Sequence, residues 1–235
     1  MNRWRECGVY PLFCLKAQQD SVEQVGGATF DCALSLPRVM ATKTLAGGEV
    51  VPTWEIAPEV AALRINPAAP TLLKGLVVVP NTAVPIPLPA GARGDALELR
   101  LNVSGAYAAG AGLSVRATNA TTPGEQTLVY FLPGDKGGIG LMVASSSADK
   151  SSHSGNIVAP YPELADAGPE HVYSLRVFVD KSVIEAHVDA RLSATTRAYP
   201  LRAAEATHAF VINRSPRPLT VESVEAWGMG TLWDV

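Results

Sequence analysis

Two carboxylates five residues apart, Asp180 and Glu185, and a third acid beside a cysteine, Glu6-Cys7, are the groups whose types and spacing could do acid–base chemistry. Such chemistry needs carboxyl groups whose surroundings push their pKa values apart, one giving a proton and one staying ionised. Asp180 and Glu185 instead fall on two strand-like runs joined by a turn, and a hairpin away from a pocket is a poor place for an acid–base pair. If Asp189-Ala190-Arg191 is the next hairpin loop, Glu185 faces Thr195 and lies diagonal to Arg197, so a cross-strand ion pair is expected. His153, His171, His187 and His208 show no metal-ligand spacing, and no metal centre is expected. Ser145-Ser146-Ser147 and Ser151-Ser152 read as a solvated loop, and no Gly-x-Ser-x-Gly elbow presents a nucleophilic serine. Asn102, Asn119 and Asn213 each open an Asn-x-Ser/Thr glycosylation tripeptide, a pattern that also arises by chance; Asn102 falls on the solvent face of its strand.

The elements that must position these groups are strands. In Leu97-Glu98-Leu99-Arg100-Leu101-Asn102-Val103-Ser104 every odd position is apolar and every even one polar, the period of a strand with one buried face. Residues 113–118 repeat the pattern, and further β-rich runs follow at 126–132, 139–144, 172–179, 183–189, 192–199, 207–213 and 219–227. Short strands spaced by turns, with almost no helical period, predict an all-β antiparallel sandwich. Leu97, Leu99, Leu101, Leu175, Val177 and Val179 should lie between its sheets. Upstream, residues 1–27 lack a period and read as an irregular lead-in, while 28–65 hold short apolar runs and a short helix opened by Pro58. Six prolines between 66 and 94 exclude central strands and favour linker or edge segments, so a linker is placed there, at the head of a sandwich spanning 66–235.

The chain of 235 residues is 47% hydrophobic and 17% charged, the balance of a folded globular protein. Its net charge of −3 and the lack of a Lys/Arg run argue against nucleic acid as a partner. Cys7, Cys14 and Cys32 all precede residue 33, so no disulfide can hold the rest of the chain. The N-terminal apolar patch is broken by Pro11 and too short for a signal peptide, and no apolar stretch has membrane-spanning length. No membrane partner is expected, and localisation is left open.

The segment from Leu175 to Pro200, with Asp180-Lys181-Ser182, Glu185 and Thr195-Thr196-Arg197-Ala198-Tyr199-Pro200, resembles the C-terminal signature of glycoside hydrolase family 32, the invertase and β-fructofuranosidase family. Ala33-Leu34-Ser35-Leu36-Pro37-Arg38 is similar to the segment that ends the family's catalytic propeller. Pro58-Glu59-Val60-Ala61-Ala62-Leu63-Arg64 looks like its connector, and Ala226-Trp227-Gly228-Met229 with Trp233 like its final strand. The matches keep the family's order over residues 30–235. This chain differs in having Lys181 where the family has Arg, and in lacking a Trp near Phe30, a Phe near His187 and an Asp-Arg pair within 141–146.

The resemblance implies a concanavalin-like jelly roll behind the remnant of a propeller (28–65), with Pro37, Arg38, Asp180, Ser182, Glu185 and Arg197 as signature positions of structural role. Family chemistry acts on sucrose or fructans by a retaining mechanism that needs two carboxyl groups. The nucleophile and the stabilising Asp stand in Asp-Pro contexts in relatives, and this sequence has no Asp-Pro dipeptide. Glu6-Cys7, preceded by the inserted Arg5, is either a relic of the acid/base motif or a chance dipeptide, and alone it cannot catalyse. The resemblance thus implies a non-catalytic module without a cofactor, partnered by a family 32 propeller or by itself. The alternative is a free-standing carbohydrate-binding sandwich. Such a module needs exposed aromatics, and 6% aromatic content with Trp4, Trp54, Trp227 and Trp233 near the chain ends supplies few. Loss of the propeller should leave Leu34, Leu36, Val60 and Leu63 bare.

Overall fold

The computed structural model describes residues 14–16, 32–44, 47–105, 108–121, 124–133, 139–145, 157–161 and 170–230. Within them the chain forms β1 (Cys14–Lys16), β2 (Cys32–Leu34), β3 (Arg38–Thr44), β4 (Val50–Ile56), β5 (Arg64–Ile65) and β6 (Thr71–Val78). Next come β7 (Thr82–Pro85), β8 (Ala96–Ser104), β9 (Ala111–Ala117), β10 (Thr127–Pro133), β11 (Ile139–Ser145) and β12 (Ile157–Tyr161). The last are β13 (Val172–Asp180), β14 (Val183–Val188), β15 (Leu192–Arg197), β16 (His208–Asn213) and β17 (Leu219–Met229). A two-turn 3₁₀ helix, Pro58–Leu63, precedes β5; Pro58 presets its first φ angle, and Arg64 ends it by turning extended.

Two sheets face each other. One has the order β12-β11-β10-β9-β16-β7; the other runs β15-β14-β13-β8-β17-β5, with β6 also paired to β17. Every strand pair is antiparallel, so the predicted sandwich is what forms. The odd positions of β8 and β13 point inward as the alternation required: Leu97, Leu99, Leu101, Leu175 and Val177 have no exposed surface, and Val179 has 2%. They pack against Leu113, Val115, Val129 and Val211 from the facing sheet. Burying each such side chain contributes about 1.5–3 kcal/mol, and this layer is the main source of stability.

The proline-rich stretch is not a linker. Pro67 and Pro70 precede β6, Pro80 lies in the turn after it, Pro85 ends β7, and Pro87 and Pro89 follow. The prolines bracket strands without interrupting them, and both strands take edge positions, where a missing N–H is tolerated. Of the lead-in 1–27 the structure describes Cys14–Lys16, which pairs with Cys32–Leu34.

The segment 35–65 supplies a second layer. The β3–β4 hairpin and the 3₁₀ helix lie on the outer face of the seven-stranded sheet, where Ile56, Ala57, Val60, Leu36 and Val39 enclose Phe178. Leu36 and Val60 are therefore covered, against expectation, with Val60 only 3% exposed, and Leu63 is half-buried; Leu34's side chain lies outside the described residues. Large apolar groups are exposed instead on the hairpin, at Met40 and Val50, and on β6, at Leu72 and Val77.

Candidate functional site

The polar positions of β8, β13 and β14 point to the sheet's outer face, where period alone would put them in water. The second layer closes over one end of that face. Along β8 the exposure accordingly falls from half-buried Asn102 and Arg100 to Glu98, which has none.

Glu98 sits between two arginines. Arg64, the last residue of the connector, donates from Nε and Nη2 to its two oxygens at 2.8 and 2.7 Å, and Arg176 of β13 donates from Nε at 2.7 Å. The Arg64 guanidinium also stacks 3.9 Å above the Trp227 ring, so the connector is held by charge and by a cation–π contact together. Burial works to raise the Glu98 pKa, but the hydrogen bonds and charges of Arg64 and Arg176 outweigh it and hold the carboxyl below its usual range.

Glu185 forms the second cluster. Its register against Thr195 is as expected, but its cation is not Arg197. Arg38, at the start of β3, places Nη2 3.2 Å from its Oε2 and donates from Nη1 to the Ser193 hydroxyl at 2.8 Å. The Leu36 N–H donates to Oε1 at 2.6 Å. Arg197 turns along its own strand and donates to the Tyr199 hydroxyl at 2.8 Å. The partner of Glu185 thus comes from 147 positions away, beyond the reach of neighbour reasoning. His187 lies in the same pocket, 5% exposed, with Nε2 3.5 Å from Glu185 Oε2 and, among the described residues, no hydrogen-bond partner for that nitrogen. Burial depresses the His187 pKa, and Arg38 and Arg176 push the same way against the pull of Glu185. For Glu185, burial acts upward, and His187, the Leu36 N–H and Arg38 together hold the carboxyl below its ordinary value.

The remaining signature positions lie at strand ends and turns. Asp180 is exposed at the end of β13, opposite Val183 and Ala96. The Ser182 carbonyl accepts the Ala198 N–H at 2.8 Å, and the Pro37 carbonyl accepts that of Ala57 at 2.9 Å. Lys181, at φ 54°, donates from its backbone N–H to the Asp95 carbonyl and from Nζ to the Asp95 carboxylate at 2.7 Å, pinning the loop before β8. The loop 189–191 closes the hairpin with Asp189 and Ala190 at φ 49° and 56°, and the Ala190 carbonyl accepts the Trp54 N–H at 2.6 Å. Glu6 lies outside the described residues.

Two of the three glycosylation tripeptides are committed to the fold. Asn213, 1% exposed, donates from Nδ2 to the Val78 and Arg217 carbonyls at 2.9 and 2.7 Å and accepts twice from Ser215, so both N–H groups of its amide are engaged within the fold. Asn102 lies in mid-strand between β13 and β17 and donates to the Ser223 hydroxyl at 2.9 Å, so its face is the sheet surface rather than open water. Asn119 is exposed in a turn, its carbonyl accepting the N–H and hydroxyl of Thr121.

Two antiparallel sheets, with a preceding segment latched to one of them through buried arginine–glutamate clusters, define an accessory β-sandwich module. Residues 59–228 match the family described as "Glycosyl hydrolases family 32 C terminal", and the chain belongs to that family. The β-fructofuranosidase insoluble isoenzyme CWINV5 of Arabidopsis thaliana is 32% identical over 91 residues, which cover 38% of this chain and 16% of that protein. The isoenzyme CWINV2 of the same plant is 43% identical over 58 residues, or 24% of this chain and 10% of its own. The crystal structure of fructan 1-exohydrolase IIa from Cichorium intybus superposes with a TM-score of 0.71 at 17% identity, over 94% of this chain and 45% of that one. Exo-inulinase from Aspergillus awamori gives 0.63 at 20% identity, over 90% and 39%. The chain therefore spans less than half the length of these relatives, and the structural likenesses carry the fold alone.

Proposed function

We propose that this chain binds and braces a family 32 catalytic propeller and does not itself cleave glycosides. The observation that carries this reading is the double latch: Arg38–Glu185 and Arg64–Glu98–Arg176 fix the segment resembling the propeller's end onto the sandwich. A joint built from buried ion pairs holds a fixed geometry, which suits a brace. Retaining hydrolysis needs two carboxyl groups flanking one scissile bond. Glu98 and Glu185 are instead each neutralised by arginine and covered by the second layer, and the sequence offers no Asp-Pro nucleophile motif. The exposed Met40 and Val50 on the hairpin supply apolar surface for the partner.

The test mixes the chain with a family 32 propeller stripped of its own sandwich. Co-elution, a raised propeller melting temperature and no fructose release from sucrose or inulin by the chain alone are expected. Fructose release that persists in Glu6→Gln after repeated purification refutes the non-catalytic reading. A monomer by light scattering that ignores the propeller refutes the brace, whereas a self-associating chain that the propeller converts to a mixed complex supports it.

A further inference from the structure

Among the described residues β6 pairs with β17 alone, so its other edge has no strand beside it. It is eight residues long, and an open edge of that length offers a row of N–H and C=O groups to any strand that can align with it. Exposed apolar groups gather there as well. Leu72 and Val77 keep 47% and 58% of their surface, and Val79, just past the strand, keeps 54%.

The strand changes face at Lys74-Gly75. Gly75, at φ 59°, lies opposite Glu222, where β17 has its own irregularity against β8. Leu73 and Leu76 therefore both pack on the core, although they are three residues apart, and Leu72, Lys74 and Val77 all stand on the exposed outer face. Glu222 is exposed on that face too, and neither it nor Lys74 has an ion-pair partner among the described residues.

Set antiparallel to a second β6, about a two-fold axis between residues 74 and 75, this strand is its own complement. Leu72 meets Val77 of the second copy, and Val77 meets its Leu72, on the outer face; Leu73 meets Leu76 on the inner face. Such opposed pairs are the unit by which antiparallel strands stabilise each other. Lys74 falls opposite Gly75 of the second copy, and the missing side chain leaves the way open to Glu222 on the strand beyond. A lysine on an open edge ordinarily keeps other strands away. In this register two lysines and two glutamates gather at the axis with no net charge, so Lys74 opposes foreign strands and fits its own copy.

We infer that the free edge of β6 joins a second copy of this chain, so that β17 and β6 of each run as one antiparallel sheet through a two-fold dimer. The interface is isologous, each contact occurring twice. It uses no residue of the β3–β4 hairpin or of the latch, so it stands or falls apart from the brace.

Sedimentation velocity on the full chain tests it. A single strand pair is at the small end of protein interfaces, so a monomer–dimer equilibrium with a dissociation constant of about 10–100 µM is expected. Val77→Lys and Lys74→Glu, both at exposed positions, should each weaken the dimer about tenfold or more without lowering the melting temperature. Glu222→Lys should do the same, and Lys74→Glu combined with Glu222→Lys should restore the dimer, because the four charges at the axis again sum to zero. A chain that stays monomeric well above that range overturns the inference. So does a dimer that persists in Val77→Lys and Lys74→Glu, or a charge-reversed double variant no better than either single one.

Discussion

Glu98→Ala tests the latch most directly. The side chain has no exposed surface, and its two arginines keep only 14% and 21% of theirs. Removing one partner of a buried ion pair costs about 3–5 kcal/mol, because the other charge stays behind without compensation. Here two like charges would be left facing one vacancy, but both retain some contact with water, which places the expected loss at the lower end, about 3 kcal/mol. For a domain of this size 1 kcal/mol moves the midpoint by roughly 2–4 °C, so the melting temperature should fall by about 6–12 °C. Circular-dichroism melts, paired with urea titrations to confirm an unchanged m-value, measure it. Glu98→Gln adds a pH signature. The folded pKa lies below the ordinary value of 4.5, so this carboxylate's contribution is complete above that value and is lost as pH falls through the folded pKa. The wild type should therefore lose stability over that acid window more steeply than Glu98→Gln. A loss under about 1 kcal/mol, the median worth of an exposed pair, would refute the buried-latch reasoning. So would strict additivity between Glu98→Ala and Arg64→Ala.

A double-mutant cycle between Arg38 and Glu185 should return a coupling of about 1 kcal/mol or more, and one between Arg197 and Glu185 less than about 0.5 kcal/mol; the reverse ranking would contradict the observed pairing. Because burial depresses the His187 pKa, the unfolded chain takes up the proton first. Stability should be full above the ordinary histidine value and fall below it by up to about 1.4 kcal/mol per pH unit, and His187→Leu should flatten that slope in urea melts between pH 7.5 and 5. Expressed behind a secretion leader in a eukaryotic host, folded chain should carry an N-glycan at Asn119 alone. Mass spectrometry finding one at Asn213 in folded protein would sink the structural account of that side chain.

What the sequence revealed and what it hid divide along one physical line. The inner strand faces were legible because the inward positions of β8 and β13 repeat every two residues and each reports its own burial. Glu185 opposite Thr195 was legible because a three-residue loop fixes the register between adjacent strands. Glu98 was not, since an acid on the polar face of a strand reads the same whether water or a distant segment covers it. Arg197 was chosen as the partner of Glu185 for its place on the adjoining strand, whereas Arg38 arrives from a hairpin whose docking no local pattern encodes. Asn213 matched a tripeptide that carries no record of what its amide already binds. The proline run predicted edge positions correctly, yet the spacing that let β6 and β7 form between the prolines passed for a linker.

The double latch also bears on where this module can be cut. In sequence, the family match opens at residue 59, and the composition changes near 66. A chain trimmed at 59 discards Arg38 together with the hairpin that covers Glu185 and Phe178; one trimmed at 66 discards Arg64 as well and strips the two β5 pairings from β17 at Gly228 and Met229. The unit that can be transplanted between proteins therefore begins before β3, inside what looks like the neighbouring domain. A recombination junction that respects the sequence boundary would break the protein, and one some thirty residues earlier would spare it.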